Sequence, residues 1–418
     1  YWSMYRRIVL GLLITGIIFI LFLKYIKTKD GDTQRAILGS FVVLFIFSLV
    51  LNWYLEYVMG WEYGIPGADL QNYFEAAKAL SNGVSLSQLG NIKWCFEPKI
   101  SNVGYILYAV FIRLIAFTPT IISIRFSLQM VYLIQIIISL IACDNISEFF
   151  EPDNKKNKKI LFIILALNTG VMQQSSILMR DMWIVFFVSL LMHECKERES
   201  SILKCIIYIV FATLLRSYTV ILTIPIFLWY GLNKKKLAIR GCIVLTVVFL
   251  GATSMLAILA KHRFGMLWNV NYKINFFRII KAFLYPNPIS QVKNMMSGTE
   301  FNQQIVGGNC AFIYFGLSIW NILVYPFAVY GFIKGLKGNK KGELYFWLLN
   351  IVNVMILYEI FYSSVSEPRH KLMYIYGIVY FYDLALRKMR LCKRNIIKWV
   401  LVTLNITFLL LAGGFLWV

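Results

Sequence analysis

The sequence predicts an all-α, polytopic transmembrane helical bundle, and three observations predict it. Of 418 residues, 59% are hydrophobic and only 15% charged, and the mean hydropathy is +0.67. A water-soluble core stops growing at roughly 250–300 residues, so a soluble fold could not bury this much apolar side chain. The apolar residues come in runs close to the ~20 that a helix needs to cross ~30 Å of hydrocarbon. Strict apolar–polar alternation is absent, which argues against a membrane β-barrel.

Charge then sets the topology. Lys and Arg number 42 against 20 Asp and Glu, a formal net charge of +22. In a membrane protein such an excess collects in cytoplasmic loops, so it is read as orientation and not as nucleic-acid binding. The inner anchors are Lys155-Lys156 with Lys158-Lys159, Lys196 to Lys204, Lys234-Lys235-Lys236 with Arg240, Lys334 to Lys341, and Arg387 to Lys398.

The spans follow in order. Segments 8–26 and 36–58 enclose a short inner loop with Lys27, Lys29 and Arg35, which leaves 59–100 outside. Of the next two apolar stretches, 121–143 crosses. Segment 103–118 contains Arg113, ends before Pro119 and is read as in-plane, because a second crossing would leave Lys155 on the wrong side. Then 159–175 goes out, 182–193 returns, 202–232 forms an out-and-back hairpin, and 237–260 goes out. Finally 310–333 returns, 344–362 goes out, 371–386 returns and 397–417 ends outside. The total is about eleven to twelve spans of ~20 residues. They form one integral domain over 1–418, with an outer loop at 59–120 holding in-plane helices and a long basic outer loop at 261–309.

In the first outer loop Leu70, Tyr73, Phe74, Ala77 and Leu80 share one helical face, and Gly83 can stop that helix. Asp69 sits in its first turn, where a carboxylate stabilises the exposed amides by ~1 kcal/mol without any catalytic role. This amphipathic helix is expected to lie on the outer membrane surface.

Few groups remain for chemistry. The seven cysteines are scattered without a CxxC pair, and His193, His262 and His370 are far apart, so no structural metal or redox centre is expected. Cys95 and Cys310 fall in outer regions, where a disulfide is one reading and two isolated small hydrophobes the other. The outer acids are Glu56, Glu62, Asp69, Glu75, Glu97, Asp144, Asp181, Glu300, Glu359 and Glu367. Asp181 follows Arg180 directly, as an ion pair or as a functional acid. Arg180, Arg216, Arg369, His370 and Lys371 fall at outer helix ends, and 261–309 carries Lys261, Arg263, Lys273, Arg278, Lys281 and Lys293 against Glu300 alone. A phosphate-bearing lipid ligand accounts for this set. The bland alternative is headgroup contact by snorkelling side chains.

The arrangement Gly67-x-Asp69-x-x-x-Tyr73-x-x-x-Ala77-x-x-Leu80-x-x-Gly83 resembles the opening motif of the C-type (GT-C) membrane glycosyltransferases, including the protein mannosyltransferase and lipid A aminoarabinose transferase group. The similarity runs on through Pro98, Tyr105 to Arg113, Arg125, and Ser175 to Asp181, whose acid matches the second-loop acid of the family. Arg216 stands where the family often has a basic residue, and Glu367-Pro368-Arg369-His370 resembles its late motif facing the donor phosphate. No outer segment carries a DxD pair, Asp30-Gly31-Asp32 falling in the loop read as inner, and there is no WWD-type signature, which sets the chain apart from the metal-dependent oligosaccharyltransferases. The extra first helix and late basic loop also resemble polysaccharide-repeat polymerases.

The resemblance implies an inverting glycosyltransferase in the plasma membrane, using a polyprenyl phosphate or diphosphate donor at an outward-facing site. Asp69 would take the proton of the acceptor hydroxyl, and Asp181 would orient the acceptor or fix Arg180. Arg180, Arg216, Arg369, His370 and Lys371 would hold the donor phosphate, with Tyr73, Glu75 and Arg278 on the substrate. No cofactor is required on this reading, and a divalent cation is left open. Asp69 and Arg369 are expected to share an outer cavity. A transporter of lipid-linked oligosaccharide would show broken helices and ionisable groups near the midplane, and a structural subunit would need none of these residues.

Overall fold

The computed structural model describes residues 2–58, 68–85, 103–115, 124–151, 154–197, 201–216, 219–232, 311–338, 341–362 and 371–389. The spans expected at 237–260 and 397–417 and the basic loop 261–309 lie outside the described residues. Among the described residues every regular element is helical. They run α1 (Trp2–Lys27), α2 (Gly31–Trp53, continued by a π-helical turn, Tyr54–Val58), α3 (Ala68–Ser81), α4 (Val103–Ile115), α5 (Ile124–Phe150), α6 (Lys155–Ala166) and α7 (Thr169–Ser175). Next come α8 (Asp181–Lys196), α9 (Ile202–Leu215), α10 (Val220–Ile226, continued by a π-helical turn, Phe227–Leu232), α11 (Ala311–Leu336), α12 (Lys341–Tyr362) and α13 (Ile375–Met389).

Among the described residues, four stretches are long and apolar enough to cross a bilayer: Val9–Lys27, Gly31–Trp53, Leu128–Phe150 and Gly316–Leu336. The outward faces of α1 and α2 are apolar, with Leu13, Ile17, Val42 and Val50 all more than half exposed. Water would penalise such a surface and lipid does not. Helix α4 has 13 residues, roughly 20 Å at 1.5 Å per residue, short of the ~30 Å that a crossing needs.

The chain divides into two compact units. The first holds the described residues of Tyr1–His193 and Ile206–Thr219, and the second those of Glu194–Cys205, Val220–Gln304 and Cys310–Val418.

In the first unit α5 is the axis, nearly enclosed by α1, α2, α4, α6 and α7. A Cβ on Gly11 of α1 would stand 2.4 Å from the Ile115 carbonyl oxygen, so α1 and α4 touch where only glycine fits. Helix α3 lays Tyr73, Phe74, Ala76, Ala77 and Leu80 inward, with Ala76 and Leu80 against Ala109 of α4. It ends as the sequence predicts. Gly83 adopts φ +92 and the Val84 amide donates back to the Ala79 carbonyl at 3.1 Å, a Schellman closure.

One end of this unit is tied by ions. Lys29 reaches Asp144 at 2.8 Å and Glu148 at 3.0 Å, and Lys158 reaches the same pair at 3.4 and 2.8 Å. The Tyr25 hydroxyl also donates to Asp144, which is fully buried. Burial opposes the charge on Lys29, but Asp144 and then Glu148 outweigh it and hold the ammonium above its usual range. Asp144, grouped above with the outer acids, therefore stands with the basic residues read as inner. The hydropathic run ends near 143, whereas α5 continues to Phe150 because its last acids are neutralised.

A second departure is the segment 159–175, expected as one span. It is broken into α6 and α7, because the Asn168 side chain takes the Val171 amide at 3.2 Å and starts a new helix.

In the second unit α11 and α13 approach so closely that a Cβ on Gly331 would lie 1.8 Å from the Phe381 carbonyl oxygen. Small residues permit this backbone contact, as at membrane helix interfaces. The turn after α10 is fastened to α12: Trp229 stacks on Phe346 at 5.2 Å, and the Tyr230 hydroxyl donates to Glu343 at 2.9 Å. The Trp347 indole donates to that hydroxyl at 3.0 Å.

Two outcomes follow for unfolding in detergent micelles. Asp144→Asn leaves Lys29 and Lys158 sharing Glu148, and is expected to cost about 3 kcal/mol, the low end for a broken buried pair. Gly331→Val is expected to cost about 1–3 kcal/mol or more by overpacking. Gly16→Val is the control, since nothing lies within 4 Å of a Cβ there. Equal stability of the Gly331 and Gly16 variants would refute the close α11–α13 contact.

Candidate functional site

The second buried polar cluster of the first unit grows from a break in helical structure between α7 and α8. Ser175 and Ser176 turn their hydroxyls back to the Met172 carbonyl, at 2.9 and 2.7 Å, and α7 stops. The carbonyls left over are met by neighbouring helices. The Gln135 amide of α5 donates to those of Gln174, Ser175 and Ile177 at 3.1, 3.4 and 2.8 Å. Asn52 of α2 donates to that of Ser176 at 3.1 Å. Buried non-helical backbone requires such partners. Helix α8 then restarts, with the Arg180 carbonyl accepting the Trp183 and Ile184 amides at 3.0 and 3.3 Å. Asp181 occupies its first turn, where the helix dipole favours a carboxylate.

The break delivers two charged side chains into the interior. Arg180 is 6% exposed and its guanidinium lies 5.9 Å above the Tyr73 ring of α3. Asp181 is 1% exposed and its Oδ2 stands 3.4 Å from a guanidinium nitrogen of Arg216, just beyond α9. Two guanidiniums and one carboxylate are thus buried in this cluster, and arginine forks suit phosphate.

Aromatic rings wall the cluster. Tyr73 meets Tyr108 edge-on at 4.7 Å, and Phe111 meets Trp183 likewise at 4.8 Å. Burial, then Tyr132 and Asp181, push the Tyr108 hydroxyl far above its usual range, so it stays a donor, to the Gln135 side-chain oxygen. Among the described residues, Asp181 Oδ1, the Tyr132 hydroxyl, Gln174 Oε1 and the Trp183 indole N–H are buried without a hydrogen-bond partner. Donors and acceptors for a polar ligand thus stand beside the charged trio.

Of the residues selected from sequence, Tyr73, Arg180, Asp181 and Arg216 come together. Glu75 does not join them: it is half-buried, and at ~100° per residue it faces nearly opposite to Tyr73 on α3. Lys371 belongs to the second unit, where it is buried and its ammonium donates to the Tyr325 hydroxyl at 3.3 Å, 5.6 Å over the ring. Asp69 lies in the first turn of α3, with its side chain outside the described residues, as are Arg278, Arg369 and His370. The shared cavity expected of Asp69 and Arg369 lies outside them too. Sequence reasoning missed Gln135, Tyr108, Tyr132 and Trp183. Gln135 left a signal, a lone amide in the apolar run Met130 to Ala142. Among the described residues no group of three or more His, Cys, Asp or Glu is placed to hold a metal ion.

Removing one partner of the buried pair strands the other. Arg216→Met is expected to destabilise the protein by about 3–5 kcal/mol, and Arg216→Met with Asp181→Asn to recover much of that loss at unchanged net charge. Thermal unfolding of the single and double variants measures the coupling, and additive losses would show that the pair carries none. No family model matches this chain, and no curated protein or solved structure matches it.

Proposed function

We propose that this chain is a polytopic membrane glycosyltransferase of about eleven to twelve spans, resembling the GT-C class, with its site on the extracytoplasmic face of the plasma membrane. It moves a sugar or glycan from a polyprenyl phosphate or diphosphate to an acceptor hydroxyl, in the synthesis of a surface polysaccharide or glycolipid. Polymerisation of oligosaccharide repeats uses the same chemistry. The observation that carries the proposal is the buried cluster of Arg180 and Arg216 around Asp181, beside Tyr73 and Tyr108.

The reaction assigns each group a task. The acceptor oxygen bonds to the anomeric carbon as its proton passes to Asp69, and the bond from that carbon to the phosphate oxygen breaks. One displacement inverts the centre. The departing phosphate gains negative charge, which Arg180 and Arg216 meet where water is excluded. Asp181 aims Arg216, and Tyr73 supports Arg180.

A transporter of lipid-linked oligosaccharide is the second reading, and the α6–α7–α8 break favours it, since transporters build anion sites at discontinuous helices. Proteoliposomes holding a panel of polyprenyl-linked sugars separate the two. Donor-dependent product is expected from the wild type, falling about 10²–10⁴-fold in Asp69→Asn and strongly in Arg216→Lys, which keeps the charge and loses the fork. Product unaffected by Asp69→Asn would move the base to Asp181. Leaflet exchange of the lipid without product from any donor would replace the transferase with the transporter.

A further inference from the structure

Cys195 and Cys205, scattered singles in the sequence, bring their sulfurs to 3.9 Å. Cys195 lies in the last turn of α8 and Cys205 in the first turn of α9, so the pair closes the turn joining the two helices. Both are free thiols, buried at 2% and 1% exposure. Lys196 and Glu197, which follow Cys195 in the chain, and Ile202 and Leu203, which precede Cys205, are exposed.

The facing ends of α8 and α9 are held together. Glu194 Oε1 accepts the Ser201 amide at 2.8 Å, and Ser201 Oγ accepts the Lys204 amide at 3.4 Å, capping α9. The second oxygen of Glu194 stands 3.5 Å from the Lys204 ammonium. These bonds fix the two backbone positions, so the thiols face each other at an effective concentration well above that of any dissolved thiol. A disulfide needs ~2.05 Å between sulfurs, so the two side chains must turn about their Cα–Cβ bonds to close the 3.9 Å separation. Cys143, buried alone within α5, is different: the described residues give it no second sulfur.

We propose that Cys195 and Cys205 are a redox-modification site, a dithiol that a low-molecular-weight disulfide such as oxidised glutathione converts reversibly into an intramolecular disulfide. One thiolate attacks a sulfur of the reagent, breaking its S–S bond, and the first small thiolate leaves. The other cysteine, deprotonated, attacks the protein sulfur of the mixed disulfide and displaces the second small thiolate. Two protein thiols are oxidised, one reagent disulfide is reduced to two thiols, and the two protons pass to the leaving sulfurs. The product staples the end of α8 to the start of α9.

The test uses the whole protein in detergent micelles, exposed to oxidised glutathione, denatured and alkylated. Trypsin then places the two cysteines on separate peptides, Asp181–Lys196 and Cys205–Arg216. The expected result is loss of alkylation at both and one disulfide-linked pair of these peptides, released by dithiothreitol, while alkylation of Cys143 is unchanged. The wild-type peptides identify the link even where Cys195→Ser or Cys205→Ser fails to fold. In folded variants the link vanishes. Full alkylation of both cysteines after oxidation overturns the proposal, as does a stable glutathione adduct on either or a link from either to another cysteine.

Discussion

The site in the first unit depends on one side chain. Gln135 offers its amide to three carbonyls of the break between α7 and α8 and takes a hydrogen bond from Tyr108 on its oxygen. Inside an apolar bundle an open carbonyl costs several kcal/mol, so without a donor the chain would continue as helix through Ser176 to Met179. Arg180 and Asp181 would then rotate with it. Gln135 thus links the placement of Tyr108 to that of the charged residues at the head of α8, and Asn52 adds a brace from α2. The positions of charge and aromatic wall follow from an amide that itself carries no charge.

The two ionic clusters of the first unit differ in a way that bears on function. Lys29, Lys158, Asp144 and Glu148 balance, each cation shared between two acids, and Tyr25 adds a bond to the buried acid. The cluster ties the α1–α2 connection to α5 and α6. In the other cluster Arg216 pairs with Asp181, and the cost of burying the Arg180 guanidinium is offset in part on Tyr73, whose ring offers about 0.5–2 kcal/mol to it.

How much was legible follows the range of each interaction. Local signals are legible: the apolar face of α3, its stop at Gly83, and the presence of α1, α2 and α11, where hydropathy and length suffice, although α1 begins at Trp2 and α2 at Gly31, five to six residues before the apolar runs expected at 8 and 36. Signals averaged over a window were lost. The run 159–175 scores as one span, and the break at Asn168 rests on a single side chain. The end of α5 was cut short because hydropathy cannot see that Lys29, 115 positions upstream, neutralises Asp144. The candidate acids and bases were chosen by type and place, which found Arg180, Asp181 and Arg216. Their pairing was not readable, since a contact across 35 positions leaves no periodic trace. Cys195 and Cys205 escaped for a similar reason: ten residues apart across a turn, they match no ligand spacing.

On the proposed reaction, the two buried guanidiniums also bear on the step that breaks the bond. A sugar joined to a polyprenyl monophosphate is a diester carrying one negative charge. As the anomeric bond breaks, the phosphate moves toward a dianion and its attraction to Arg180 and Arg216 grows. Only interactions that strengthen toward the transition state accelerate the chemical step, so guanidiniums held where water is excluded act on bond breaking more than on donor binding. Asp181, 3.4 Å from Arg216, holds that guanidinium in place and competes with the phosphate for it, and on this reading the competition weakens the ground-state complex before the departing charge develops.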